Sequence, residues 1–418
     1  MTISKQASNT TNLTEGCIWK QIIAFAVPLF IGNLFQQLYN TADSLIVGNF
    51  LGSNALAAVS SSGNLIFLMV GFFQGISVGA GVVIARYYGA RAYKEVQKAI
   101  HTTVAFGLVS GIFLTIFGTL LTSRILIWMG TPADVLPESA VYFRIYFMGS
   151  LSFVMYNVFV GILQSIGDSR HPLIYLVISS VINVLLDLLF VAVLGLGVGS
   201  AAVATILSQF FSAFLCLFRL TYKSPEEYRV YIRHICFDLP MLRQIIANGL
   251  PAGFQNSIIA FANVVVQSNI NKFGKMAVAG SGAYSKIEGF GFLPITCFAM
   301  ALTTFISQNL GARQYDRARK GARFGILCSV IMAELVGILI YFTVPALLAA
   351  FNRTPEVIGF GTTHARTVTL FYFLLSFSHC IAGILRGAGK AAVPMLTMLC
   401  FWCIVRVRSL SISFRKLT

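Results

Sequence analysis

Apolar residues along this chain fall in long blocks, broken by short polar stretches, without the two-residue alternation of a half-buried strand. The blocks lie near 21–41, 55–84, 99–121, 140–163, 172–194, 200–220, 241–270, 277–306, 324–350, 364–385 and 393–405. A helix needs about 20 apolar residues to cross the hydrocarbon core of a bilayer. The pattern therefore predicts about eleven membrane helices, the last of them short. Arg86, Arg91, Lys94 and Lys98 follow the second block, and Arg170 and His171 follow the fourth. Lys223, Arg229, Arg233 and Arg243 follow the sixth, Arg313, Arg317, Arg319, Lys320 and Arg323 the eighth, and Arg386 and Lys390 the tenth. The intervening loops are poor in charge, and "NFLGSNA" (49–55) and "GLGVGSA" (195–201) have none. The positive-inside rule then places the N-terminus in the cytoplasm of a multi-pass protein of the plasma (inner) membrane, bacterial by expectation.

The chain also resembles itself. "GILQSIGDSRHP" (161–172) returns as "GILRGAGKAAVP" (383–394), and "YYGARAY" (87–93) as "NLGARQY" (309–315), both at an offset of 222. "QIIAFAVP" (21–28) returns as "QIIANGLP" (244–251) at 223. This period is too long for a solenoid and marks a duplicated half of six helices. Six is even, so both halves cross in the same sense. The predicted architecture is an all-α polytopic membrane protein of two six-helix lobes. Their pseudo-twofold axis runs along the membrane normal, with the substrate path between them. The expected lobes span 1–222 and 241–418, joined by a cytoplasmic linker at 223–240.

Composition agrees with the pattern. The 418 residues are 57% hydrophobic and 11% charged, against about 25% charged in soluble domains; the mean hydropathy is +0.80. The net charge of +16 belongs to the loops, and no basic, aromatic-interleaved patch suggests nucleic acid. Eight cysteines are scattered, and "CFWC" (400–403) has no second pair at zinc spacing. Residues 1–19 lack the apolar core of a signal peptide. The five histidines form no metal spacing, and no hydrolytic or metalloprotease motif points to an enzyme.

An ionisable residue inside a span is a functional candidate. Asp187 lies in "VINVLLD" (181–187), with Asn183 one helical turn earlier on the same face. Asp43 lies near the outer end of the first block and Thr205 in the sixth. Two carboxylates, an amide oxygen and a hydroxyl are hard ligands suited to a small cation such as Na⁺. The same carboxylates, desolvated and close together, are also fit to carry protons. A third reading makes Asn183 and Thr205 interhelical hydrogen-bond glue. Glu288 and Glu334 are the acidic residues of the second lobe's spans, and Glu288 reads as a structural partner of nearby Lys286. Pro28 and Pro251 lie at matching places in the first and seventh blocks, where proline bends a helix or begins its regular part.

Taken in order, "FQQLYNTADSLIVG" (35–48), "ARYYGAR" (85–91) with "SQNLGAR" (307–313), "GILQSIGDSRHP" and "NVLLD" resemble the multidrug and toxic compound extrusion (MATE) family of secondary transporters. The resemblance covers the chain to about residue 405. It implies a twelve-helix, two-lobe antiporter that expels organic cations, drugs or metabolites in exchange for Na⁺ or H⁺, with no other cofactor. In the DinF-type branch an Asp on helix 1, an Asn and an Asp on helix 5 and a Thr on helix 6 hold the cation. Asp43, Asn183, Asp187 and Thr205 stand at those positions. Pro28 stands where that branch bends helix 1, and Gln36 at a cavity glutamine; Asn157 is a further cavity candidate. Another branch uses carboxylates on helices 7 and 10, which here have none. The expected partners are a cationic or amphipathic small molecule and the lipid bilayer, with the protein acting as a monomer.

The pattern breaks at "RVRSLSISFRKLT" (406–418). The repeat predicts apolar span there, and the counterpart of Asp187 is Ser409. Helix 11 is expected to be incomplete and helix 12 missing, about 11 of 12 helices in all, from a shifted frame or truncated gene. Two alternatives to the antiporter follow: a lipid-linked oligosaccharide flippase of the same superfamily, and a truncated membrane protein without transport activity.

Overall fold

The computed structural model describes residues 12–128, 136–270, 273–351 and 354–401, all in helices and short connections. The irregular tail at 406–418 lies outside the described residues, as does the end of "CFWC". Thirteen α-helices are described: α1 (Ile18–Gly89), α2 (Tyr93–Trp128), α3 (Leu136–Met148), α4 (Ser150–Ser165), α5 (Arg170–Asp187), α6 (Gly199–Phe218), α7 (Leu239–Ile270), α8 (Lys275–Gly291), α9 (Leu293–Gly311), α10 (Tyr315–Phe351), α11 (Pro355–Thr369), α12 (Tyr372–Gly387) and α13 (Ala392–Met398). Among the described residues six helical stretches are long and apolar enough to cross a membrane, and two bent pairs, α3–α4 and α11–α12, add two more.

The sequence places a loop at 49–55, but helical backbone continues through it. A straight helix of 72 residues would be about 108 Å long at 1.5 Å per residue, over three times the hydrocarbon core. Yet both ends of α1 meet the same part of α9. Ile22 and Phe25 pack with Phe305 and Ile306, while Val82 accepts a hydrogen bond from Ser307 and Gly89 abuts Gln308. The element therefore crosses twice, as the two apolar blocks require.

The duplication is visible in the backbone. Arg91 and Arg313 both adopt left-handed φ, 55° and 57°, unusual for side chains other than glycine. Each closes its turn with the same three bonds, from Ala90, Arg91 and Ala92 in one copy and Ala312, Arg313 and Gln314 in the other. Gly167 and Gly389 share positive φ, 92° and 76°. The bend of 49° between α3 and α4 matches one of 54° between α11 and α12. Gly149 sits at the first bend, where a Cβ would strike Ile206 of α6.

At the basic end the two copies close on each other. Gly75 and Gly79 of α1 cross Gly253 and Gly249 of α7 so closely that a Cβ on either α1 glycine would overlap the opposing backbone. Small residues at four-residue spacing allow this backbone approach in membrane helices. Ser307 Oγ donates to the Val82 carbonyl at 2.7 Å, and Gln308 Nε2 to the Ser165 carbonyl at 2.7 Å. All four residues are deep in the protein, with Ser307 and Gln308 fully buried.

Candidate cation-binding site

Asp187 ends the α-helical part of α5, and the chain continues as a wider π turn through Val193. Its side chain is fully buried, and Asn183, one turn earlier, is 1% exposed. The half-buried Asp43 of α1 brings its carboxyl group beside that of Asp187. The apolar floor is built by Ile46, Val47, Tyr142, Val191 and Val198. Both oxygens of Asp187, both polar atoms of Asn183 and Oδ1 of Asp43 are buried with no properly aligned hydrogen-bond partner among the described residues. Buried polar groups in folded proteins are nearly always paired, and an unpaired ionised carboxylate is far costlier still. The unpaired oxygens of this cluster, four against the single Asn183 amide donor, are a demand for positive charge. The donor set, oxygens from two carboxyls and an amide, fits a small hard cation or a proton.

The other expected residues fare differently. Thr205 on α6 donates its hydroxyl to the carbonyl of Ala201, 3.0 Å away in its own helix. Its side chain lines a small void with Tyr146, Gly149, Phe153, Ile206 and Gln209. Gln36 reaches the hydroxyl of Tyr39. The Asn157 amide donates to the carbonyl of Phe153 at 2.8 Å, one turn back in α4; nothing in its contacts joins it to the carboxyl pair.

Four neighbours escape the sequence reading. The hydroxyl of Tyr39 lies beside the side chains of Gln36 and Gln209 and near Asp43. Tyr142 faces Asp43, Asp187, Tyr146 and Tyr39, and its ring stacks 6.4 Å from Tyr146. A signal for them exists. Tyr39–Asp43, Tyr142–Tyr146, Asn183–Asp187 and Thr205–Gln209 are each polar pairs four residues apart inside an apolar span, the spacing that stacks side chains on one helix face.

A family model described as MatE matches residues 28–189 and 251–408, one segment in each half of the chain. The chain belongs to the MatE family. Its relatives include a probable multidrug resistance protein, YoeA of Bacillus subtilis (strain 168), 28% identical over 410 residues, covering 96% of this chain and 88% of that protein. Another is a probable multidrug resistance protein, NorM of Thermotoga maritima, 26% identical over 92% of this chain and 83% of its own length. Among solved structures, an outward-facing multidrug resistance MATE family transporter of the MOP superfamily superposes with a TM-score of 0.92 at 24% identity, over 98% of this chain and 91% of that one.

Among the described residues of this MatE chain the second lobe offers no equivalent pair. Helices α7 and α12 carry no carboxylate; Gln255 and Arg386 meet there, the Arg386 Nη1 donating to Gln255 Oε1 at 3.2 Å. Glu288 of α8 lies by the hydroxyls of Tyr284 and Tyr372, which bond each other at 3.2 Å, while Lys286 is exposed. Residues two apart point to different faces of a helix, and among the described residues Lys286 and Glu288 form no ion pair, unlike the expected partnership. Pro28 is buried within α1, ten residues after its start, and Pro251 lies likewise within α7. Neither begins its helix.

Proposed function

We propose that this protein is a cation-coupled antiporter that exports small amphipathic, cationic molecules, with Asp43, Asn183 and Asp187 holding the coupling Na⁺ or H⁺. The family supports export; the relatives named for multidrug resistance support the substrate class. The observation that carries the coupling site is the group of buried acceptors without partners on Asp43, Asn183 and Asp187. Two adjacent carboxyl groups in an apolar setting need a bound cation or a proton between them. A site whose need for charge differs between two conformations converts an ion gradient into a conformational bias, because a ligand shifts an equilibrium only by its differential affinity. Thr205, with its hydroxyl oxygen still able to accept, completes the set when α6 approaches. Gln36, beside Tyr39, and Asn157 belong to the substrate side of the same lobe. The basic end is the cytoplasmic end by the positive-inside rule, and the protein works as a monomer in the bacterial inner membrane.

The test is dye efflux from reconstituted vesicles, with a Na⁺ gradient and a pH gradient imposed separately. Asp43→Asn and Asp187→Asn are expected to abolish gradient-driven efflux while the protein remains folded in the membrane. Undiminished efflux in both variants sinks the mechanism.

A further inference from the structure

The residues just before α1 form a strap across the basic end. Asn12 Oδ1 accepts bonds from the backbone and hydroxyl of Thr14, at 3.1 and 2.7 Å, and Gly16 takes a left-handed φ of 74°. The compact turn points Leu13 inward. Leu13 is fully buried, in a cluster with Ile22, Phe25, Phe305, Ile306 and Ala318.

The strap touches both copies of the repeat, very unequally. Arg317 of α10, in the second copy, gathers its carbonyls: Nη1 donates to Gly16 at 2.7 Å, Nη2 to Glu15 at 2.8 Å, and Nε and Nη2 to Leu13 at 3.3 and 3.2 Å. Asn309 of α9 adds a bond to the Leu13 carbonyl at 3.2 Å. The Arg317 guanidinium also lies 5.7 Å from the Phe305 ring centre. On the first copy the strap makes one ion pair, Glu15 Oε1 with Arg91 Nη2 at 2.8 Å. Arg91 is held out by its left-handed backbone at the end of α1. Between the two arginine-bearing turns lies a groove of about 490 Å³ lined by Thr14, Glu15, Arg91 and Arg313.

We propose, on the two-state reading above, that residues 12–17 are a cytoplasmic latch. They are fixed to the second lobe by Arg317 and hold the first lobe shut through Glu15 and Arg91. Opening to the cytoplasm requires the two lobes to part at Ser307–Val82 and Gln308–Ser165. The strap lies across this line. Its weak link is the exposed pair, with side chains 59% and 71% exposed, because solvent screens such a pair and its side chains lose freedom on forming it. Five hydrogen bonds, four of them from one guanidinium and three of them buried or half-buried, make the other end the strong one. The latch therefore releases at Glu15–Arg91, and the strap travels with the second lobe. The basic-end half of the first crossing of α1 goes with it, since Ile22, Phe25 and Leu29 pack on that lobe. The outer half, with Asp43, stays on the first lobe's carboxyl pair. Pro28 lies at the join.

Hydrogen–deuterium exchange of the full chain in lipid nanodiscs tests the latch. Glu15→Gln and Arg91→Gln are each expected to speed exchange of the seam peptides, 82–92 and 305–314, by about two- to fivefold, the size of an exposed ion pair. Swapping the charges, Glu15→Arg with Arg91→Glu, is expected to return exchange toward the original rate. If only the strap peptide 12–17 responds, or the swap restores nothing, the latch is overturned. Exchange is read without transport, so a failure of the antiporter reading shows up separately, in the Asp187 variants.

Discussion

Asp43 on α1 and Asp187 on α5, far apart in sequence, lie with their carboxyl groups side by side in the first lobe, where Asp187 finds no aligned hydrogen-bond donor. The floor beneath them is apolar. Such a pair is stable only with added positive charge, and the first prediction follows from that. If Na⁺ is the coupling ion, replacing choline with Na⁺ raises the melting temperature of the purified protein. A hundredfold excess over the dissociation constant adds about 2.7 kcal/mol. Asp187→Asn removes the Na⁺ response. A melting temperature that ignores Na⁺ but follows pH assigns the site to protons.

Tyr39 places its hydroxyl beside the side chains of Gln36 of its own helix and Gln209 of α6. Tyr39→Phe removes a polar neighbour from both amide groups, with an expected cost of about 1 kcal/mol. A double-mutant cycle with Gln209→Leu, followed by thermal melting, is expected to show a coupling of about 0.5 kcal/mol or more. Strict additivity would separate the two residues.

The glycine crossing of α1 and α7 admits no side chain. Gly79→Ala drives a methyl group into the backbone at Gly249. The expected loss is about 1–3 kcal/mol, with faster hydrogen exchange at the basic end, because the strain is relieved by moving the helices apart. Gly359, whose added Cβ meets nothing within 4 Å, is the control; Gly359→Ala leaves exchange at that end unchanged.

Pro28 denies α1 one backbone bond, to the carbonyl of Ala24, in a helix that bridges both lobes. Pro28→Ala supplies the donor and stiffens the join. Proline within a helix costs about 3 kcal/mol, so the variant is expected to melt higher and to transport more slowly. A variant with undiminished turnover would remove the bend from the mechanism.

Much of this was legible in the residues themselves. Apolar blocks of membrane length and the offset of 222 determined the all-helical, duplicated architecture, because a bilayer leaves the backbone few other ways to satisfy its hydrogen bonds. The four-residue spacing of Asn183 and Asp187 placed them on one face. Period fixes which residues share a helix face, but not which face meets which. Only the tertiary structure brought Asp43 to Asp187, set Tyr39 beside Gln209, turned Thr205 and Asn157 to carbonyls of their own helices, and placed Glu288 near two buried tyrosines. It also drew a polar-looking stretch, 12–17, across the seam, where Arg317 found three carbonyls. Those bonds belong to backbone atoms that every residue carries, so no choice of side chain in the strap could announce them.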